Sequence, residues 1–146
     1  VFAVKAPRFI THIRRLRDPE TPVANFLASG VLRLGPKLGP VLWQLPPSLK
    51  FDPDLLERFL SVLPRDAAQA LSLARRRDVA LMRGRSALTV DDPARPLRHA
   101  LEVRHESFRD PRAAERIASE LKSLQIAGSG SSNVNVAEPQ PEVELN

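Results

Sequence analysis

The sequence predicts an α/β fold with parallel strands, and three observations support this prediction. Three short segments are rich in Val, Leu and aromatic residues without a clean polar alternation, which is typical of strands covered on both faces. A helical pattern follows each segment and opens with a capping side chain and a proline. Strand followed by helix, three times over, favours parallel pairing. About three βα units are therefore expected.

The predicted strands occupy about residues 1–6, 40–45 and 99–104. Strands as apolar as these require helices on both faces of the sheet, or closure of the sheet into a barrel. Three strands are too few for either arrangement. The chain is therefore expected to be a piece of a larger α/β protein.

The predicted helices begin where a capping residue precedes proline, because the first turn does not need the N–H that proline lacks. These pairs are Thr21-Pro22, Asp52-Pro53 and Asp110-Pro111. The first helix is expected to end near Gly35. The second has the clearest apolar face and is expected to end at Pro64. That face is formed by Leu55, Leu56, Phe59, Leu60 and Leu63.

The rest of the chain is divided into a crossover and a tail. Residues 67–77 suit a short helix, and residues 78–98 form a less regular crossover to the third strand. From residue 127 to residue 146 the chain is rich in Gly, Ser, Pro and Asn and has no apolar periodicity. This composition predicts a disordered tail after a domain of residues 1–126.

Composition excludes several classes of protein. The 146 residues contain no cysteine, which excludes disulfide frameworks, thiolate nucleophiles and cysteine metal sites. No apolar run approaches the roughly 20 residues that span a bilayer, and the first residues lack the pattern of a secretory signal. We therefore predict a soluble, cytoplasmic protein with no membrane partner.

Positive charge is concentrated near the start of the chain. The sequence has 22 Lys and Arg against 17 Asp and Glu, a formal charge of +5. The segment Arg8–Arg17 precedes the first acidic residue, Asp18. Nucleic-acid recognition usually adds aromatic stacking platforms or a groove-reading motif, but the chain has one Trp and no Tyr. A nucleic-acid-associated protein using Arg8–Arg17 is therefore the second hypothesis rather than the first.

Three motifs resemble a known family. FAVKAPRFITHIRRLRD (2–18), LGPVLWQLPPSLKFD (38–52) and LEVRHESF (101–108) occur in the order seen in the YecE-like domain of unknown function, number seventy-two of that series. Members of that family are TIM-type (β/α) barrels of roughly 250 residues. The resemblance covers about residues 2–124 and implies a partial barrel.

The chain departs from the family in two respects. The opening strands, with their Gly- and Trp-containing first motif, and the closing strands are not found in it, which predicts a truncated fragment. In the third motif Phe108 replaces the usual Trp and Glu106 replaces a common Pro. The resemblance implies no established reaction, so the reaction class is not predicted.

The resemblance implies a site at the C-terminal ends of the strands, where such barrels bind their ligands. Glu102 and Arg104 are two residues apart in the third strand, so they point to the same face. We predict that Glu102 is a general acid or base and that Arg104 or Lys5 clamps an anion. The structural alternative is a buried pair of Glu102 with Arg104 or Lys5 that only fixes the packing.

Three further polar residues follow the predicted strands. His12 and His105 are candidates for proton transfer or ligand contact, and His12 is assigned to catalysis with Glu102. Gln44 is a candidate for ligand contact through its amide. The two histidines have no metal-binding spacing such as HExxH, so no metal is predicted. Ser107 beside His105 lacks a nucleophile elbow and is interpreted as a neighbour of a helix cap.

The sequence therefore predicts a barrel fragment whose parent binds a small anionic ligand at Lys5, Gln44, Arg104 and His105. No glycine-rich phosphate loop or dinucleotide fingerprint occurs, so no cofactor is predicted. A truncated product without independent activity is the third hypothesis. Uncovered sheet edges in such a piece would favour self-association.

Overall fold

A computed structural model, which describes residues 2–123 and 134–137, has a parallel sheet with helices between its strands. The strand order is β1-β2-β3-β4, the same as the order along the chain, and every neighbouring pair is parallel. The strands are β1 (Phe2–Lys5), β2 (Leu38–Gln44), β3 (His99–Glu102) and β4 (Val134–Ala137). The predicted α/β class with parallel strands is confirmed.

Five α-helices and three short turns of helix lie between the strands in the described part of the chain. The α-helices are α1 (Glu20–Ala28), α2 (Pro53–Val62), α3 (Ala67–Ala74), α4 (Val79–Met82) and α5 (Pro111–Ser123). A π-helical turn spans Phe9–Ile13, and 3-10 turns span Val31–Lys37 and Glu106–Arg109. Within the described residues, none of the helices combines the length and the apolar character needed to cross a membrane.

Two of the three predicted helix starts are confirmed. The side chain of Asp52 accepts a hydrogen bond from Leu55 N at 3.2 Å, and Pro53 is the first residue of α2. Asp110 Oδ1 accepts from Arg112 N at 2.9 Å just before α5 begins. These carboxylates satisfy N–H groups that have no partner inside the helix.

The predicted start at Thr21-Pro22 is wrong. Helix α1 begins at Glu20, with Pro19 in the N-cap position and Pro22 as its third residue. Proline is tolerated there because none of the first four N–H groups has an intrahelical acceptor. The helix also ends earlier than expected, at Ala28, and Gly30 (φ +121°) leads into the 3-10 turn.

The predicted covering of both faces of the strands is not seen within the described residues, where one face is covered. Burial alternates strictly along β2 and along β3. One face, here called the covered face, carries Val41, Trp43, His99 and Leu101 and packs against helices. The other, here called the open face, is only half-buried at Gln44 and Glu102. Period-two alternation follows from strand geometry once a single face is covered.

The core of the covered face is built around Trp43, which is 1% exposed. Its ring meets Phe26 of α1 with ring centres 6.0 Å apart and Phe59 of α2 at 5.2 Å, both edge to face. Trp43 Nε1 donates to His99 Nδ1 at 3.0 Å, and His99 Nε2 donates to the carbonyl of Pro64 at 2.6 Å. The buried polar groups of this face are therefore paired.

The predicted disordered tail needs a correction. Val134–Ala137, inside the predicted tail of residues 127–146, forms β4 and pairs with β3 from His99↔Val134 to Glu102↔Ala137. Its sequence is too short to give a periodic signal, but the backbone bonds offered by β3 stabilise it. The other residues of the predicted tail lie outside the described part of the chain.

Candidate functional site

The C-terminal ends of β1, β2 and β3 meet at one edge of the sheet, because the strands are parallel. Gln44 is in register with Glu102, and Lys5 is in register with Leu42. Partners in register point to the same face, so Lys5, Gln44 and Glu102 all belong to the open face. This edge therefore holds three of the candidate site residues that the sequence analysis named.

Glu102 is at the centre of a polar network on the open face. Gln44 Nε2 donates to Glu102 Oε1 at 3.4 Å, and Arg104 Nε lies 3.5 Å from the same oxygen. The side chains of Arg104 and Glu102 are 44% and 24% exposed. Both contacts are long for hydrogen bonds to a carboxylate, and water can reach the pair. The network therefore leaves Glu102 and Arg104 able to accept further partners.

His12 is half-buried in the turn Phe9–Ile13 that follows β1, with its Nδ1 2.7 Å from the hydroxyl of Thr11. Desolvation lowers the pKa of His12, and four cationic side chains lower it further. These four, here called the cationic cluster, are Arg8, Lys5, Arg104 and Arg15. Cations at the end of β1 and after β3 therefore favour the neutral form of the His12 imidazole.

Arg15 reaches from the first loop to the loop after β2. Its Nη1 donates to Ser48 Oγ at 3.0 Å and its Nη2 donates to Ser48 O at 3.3 Å. The backbone of Arg15 and Leu16 is left-handed, with φ of +52° and +65°. Leu16 is 2% exposed, and its N–H donates to Ile10 O at 3.0 Å. The buried leucine therefore fixes the direction in which Arg15 extends.

His105 contacts Ser107, which the sequence analysis interpreted only as a neighbour of a helix cap. His105 Nδ1 accepts from Ser107 N at 3.0 Å and lies 2.9 Å from Ser107 Oγ, which itself accepts from Phe51 N at 2.7 Å. Because Nδ1 accepts, the ring proton is assigned to Nε2. His105 is the cap of the turn Glu106–Arg109, and Ser107 connects the loops after β2 and β3.

The structure therefore brings some of the predicted site residues into contact and leaves others apart. Gln44 and Arg104 both contact Glu102. Lys5 and Arg104 each lower the pKa of His12 through their charge. Within the described residues, no group of three or more His, Asp or Glu could hold a metal ion. The arrangement offers one carboxylate and one neutral imidazole beside a strongly positive edge, which suits anion binding with acid–base chemistry.

Sequence reasoning missed the role of Arg15 and Ser48, and it treated Arg8 only as part of a basic segment. The contact between Arg15 and Ser48 joins residues 33 positions apart, and the left-handed backbone of Arg15 has no marker such as glycine. The available signal was the density of arginine immediately after the first strand. That signal indicates where positive charge is concentrated but not the direction in which each arginine side chain extends.

A groove lies among the helices, away from the strand ends. This groove has a volume of about 370 Å³, and its lining includes Ser61, Pro64, Gln69 and Leu73. Arg76 and Glu20, at the same groove, form an ion pair at 2.6 Å. Because this pair compensates its own charge, the groove lacks the concentrated positive charge of the strand ends.

Comparison with known proteins identifies a family. Residues 1–142 match the family described as "Protein of unknown function DUF72". No match was found among curated proteins or among solved structures. The match extends beyond the boundary predicted at residue 126 and includes β4. Because it covers nearly the whole sequence, the chain belongs to the DUF72 family, with which the YecE-like resemblance agrees.

Proposed function

We propose that the C-terminal edge of β1, β2 and β3 binds a small anionic ligand. The observation that carries the proposal is that Lys5, Gln44 and Glu102 share the open face at this edge, where Arg104 Nε lies 3.5 Å from Glu102 Oε1. The four side chains of the cationic cluster also lower the pKa of His12, in the turn after β1. Clustered charges of one sign raise the local concentration of ions of the opposite sign, and a partly desolvated site strengthens the effect. The ligand therefore binds where the ends of the strands meet.

The sheet is proposed to form part of a TIM-type barrel, with the open face directed to the interior. Parallel strands in chain order, helices on one face and polar groups at the C-terminal ends of the other face support this proposal. A four-stranded parallel sheet leaves its outer edges unpaired within the described residues. Phe2 on β1 is 61% exposed. Self-association through this edge is part of the proposal.

Each candidate residue has a distinct proposed role. Lys5 and Arg104 attract the anion, and the amide of Gln44 and the Nε2–H of His105 add hydrogen bonds. Glu102 and His12 transfer protons, since one is a carboxylate beside a cation and the other a neutral imidazole. Such chemistry is of the kind that hydrolases and isomerases use.

The nucleic-acid hypothesis has one observation in its favour: Arg8 is exposed and the neighbouring Phe9 is 52% exposed. However, the segment Arg8–Arg17 does not present a single basic surface. Arg14 lies 3.9 Å from Asp18, and Arg15 is turned to Ser48. Convergence of the charge on one point favours a small ligand over an extended strand.

Isothermal titration calorimetry of the full chain at low salt tests the proposal, with acetate, sulfate and phosphate as probes. Lys5→Gln is expected to weaken anion binding about tenfold, because it removes a charge-assisted contact. The matched control is Lys37→Gln. Lys37 directly precedes β2 and so lies at the N-terminal ends of the strands, opposite the proposed site. Its loss is expected to leave binding unchanged.

Two results would contradict the proposal. One is the absence of binding by every anion at low salt, which agrees with a truncated product that has no independent activity. The other is equal weakening by both lysine substitutions, which indicates general electrostatic attraction. Binding of a single-stranded oligonucleotide that falls steeply with salt, and that Arg8→Gln weakens, would favour the nucleic-acid hypothesis instead.

A further inference from the structure

Two guanidinium groups of the cationic cluster are held by contacts from two different loops. Arg15, in the loop after β1, is held by Ser48, and Arg104, two residues after the end of β3, is held by Glu102. Guanidinium groups are planar forks that bind phosphate oxygens bidentately. A carboxylate offers two oxygen atoms, whereas a terminal phosphate offers three. Two forks therefore suit a terminal phosphate better than a carboxylate.

The position of Arg15 is imposed by the backbone. Left-handed φ angles at Arg15 and Leu16 are unfavourable for residues with a side chain, and they persist only where the surroundings determine them. Here the determinants are the buried side chain of Leu16 and its hydrogen bond to Ile10 O. An arginine held in this way loses less freedom when it binds a ligand.

Charge balance also distinguishes between anions. Three cations, Lys5, Arg8 and Arg15, lie at the end of β1 or after it, and Arg104 follows β3. Glu102 Oε1 lies 3.5 Å from Arg104 Nε and supplies one negative charge against these four positive charges. Arg14 does not count, because Asp18 faces it. A ligand with one negative charge leaves most of this excess uncompensated. A ligand with two negative charges compensates it better and gains more Coulomb energy.

We infer that the ligand is a small molecule with a terminal phosphate group, bound as the dianion by Arg15 and Arg104 beside Lys5 and Arg8. This inference rests on the proposed function and names its ligand class. A phosphodiester fits less well, because it carries one charge and has two free oxygen atoms. Sugar or other small organic phosphates share the recognised group with inorganic phosphate, which serves as the probe.

Calorimetry of the full chain compares inorganic phosphate, acetate and dimethyl phosphate at low salt and about pH 8, above the second pKa of a phosphate group. Phosphate is expected to bind at least about tenfold more tightly than either monoanion. The three probes distinguish a preference for two negative charges from a general attraction of any anion. Dimethyl phosphate represents the phosphodiester of a nucleic acid.

Arg15→Gln and Arg104→Gln are each expected to weaken phosphate binding about tenfold. The matched control is Arg98→Gln, because Arg98 is exposed and directly precedes β3, at the opposite end of the same strand. Arg104→Gln also removes a partner of Glu102, so Arg15→Gln provides an independent test. Circular dichroism of each variant checks that the fold is retained.

The outcomes separate the two proposals. Tighter binding of phosphate that depends on Arg15 and Arg104 supports both. Equal binding of phosphate and acetate overturns the phosphate inference and leaves the anion site in place. Equal binding of phosphate and dimethyl phosphate also overturns it. Phosphate binding that neither arginine affects overturns the assigned site, and failure of all three probes to bind overturns the proposed function itself.

Discussion

The polar side chains on the two faces of the sheet differ in their burial and in their hydrogen bonding. On the covered face, His99 is 1% exposed and both of its ring nitrogens have partners, Trp43 and Pro64. On the open face, Glu102 has two long contacts, with Gln44 at 3.4 Å and Arg104 at 3.5 Å. A buried polar group must be paired because desolvation is costly, whereas a solvated one can exchange water for a ligand. The covered face stabilises the fold, and the open face presents solvated polar groups, to which the proposed ligand binding is assigned.

The largest expected effect is the loss of Trp43 from the covered face. Trp43→Ala removes the ring between Phe26 and Phe59 and leaves His99 Nδ1 without its donor. We expect the free energy of unfolding to fall by about 3–5 kcal/mol. Urea unfolding followed by circular dichroism measures it.

A surface aromatic serves as the control for this prediction. Phe9 is 52% exposed, and Phe9→Ala is expected to change the free energy of unfolding by less than about 0.5 kcal/mol. Comparable losses for both variants, or a shallow transition without cooperativity in the unaltered chain, would show that the covered face does not form a packed core in isolation.

The second effect is acid destabilisation through His99. Burial lowers the pKa of His99 from 6.5 to about 4. Between these pH values the imidazole binds a proton in the unfolded chain but not in the folded chain. The stabilisation is fully present above pH 6.5 and is lost as the pH falls towards 4. The loss amounts to about 3 kcal/mol at pH 4. Urea unfolding at several pH values measures this slope.

His99→Gln isolates the contribution of the imidazole. A glutamine amide has both an acceptor for Trp43 Nε1 and a donor for Pro64 O, but it does not titrate in this range. The variant should therefore show a smaller loss of stability between pH 6.5 and pH 4. An unchanged slope would mean that carboxylates, and not His99, account for acid unfolding.

The smallest effect is expected on the open face. Glu102→Gln removes a partly solvated ion pair with Arg104, so the free energy of unfolding should change by less than about 1 kcal/mol. The affinity for anions should change more than the free energy of unfolding does. In this variant the carboxylate of Glu102 no longer competes with an anion for Arg104. Calorimetry and urea unfolding of the same preparation measure both quantities.

The outcome for Glu102 also decides between its two interpretations. A loss of stability of about 3 kcal/mol or more, as expected when one partner of a buried pair is removed, would favour the purely structural role. His12→Ala provides the second variant, since its half-buried ring contributes little to the core. Retained folding with altered anion binding in both variants would support their assignment to the site.

Local signals predicted much of the fold. The caps at Asp52 and Asp110 were readable because capping acts within a few residues. The apolar face of α2 was readable because it repeats within one helix, and Leu56, Phe59 and Leu60 are buried as expected. The start of α1 was not, since proline is compatible with several positions in a first turn.

The candidate site was predictable only in part. The alternation of strands and helices placed Gln44, Glu102 and Arg104 near one another because parallel strands end at the same edge. Their roles remain predictions. The contact of Arg15 with Ser48 was not predictable, since it depends on a left-handed backbone that buried Leu16 maintains. Geometry of that kind has no pattern along the chain.

The sequence by itself determined the class of fold, the approximate positions of three strands, the starts of α2 and α5 and the concentration of positive charge after the first strand. These properties arise from interactions between residues that are close along the chain. Tertiary structure alone decided which face of the sheet is covered, that Val134–Ala137 joins it as β4, and that Arg15 contacts Ser48 in the loop after β2. These depend on packing and pairing between distant segments, whose free energy no local window of sequence contains.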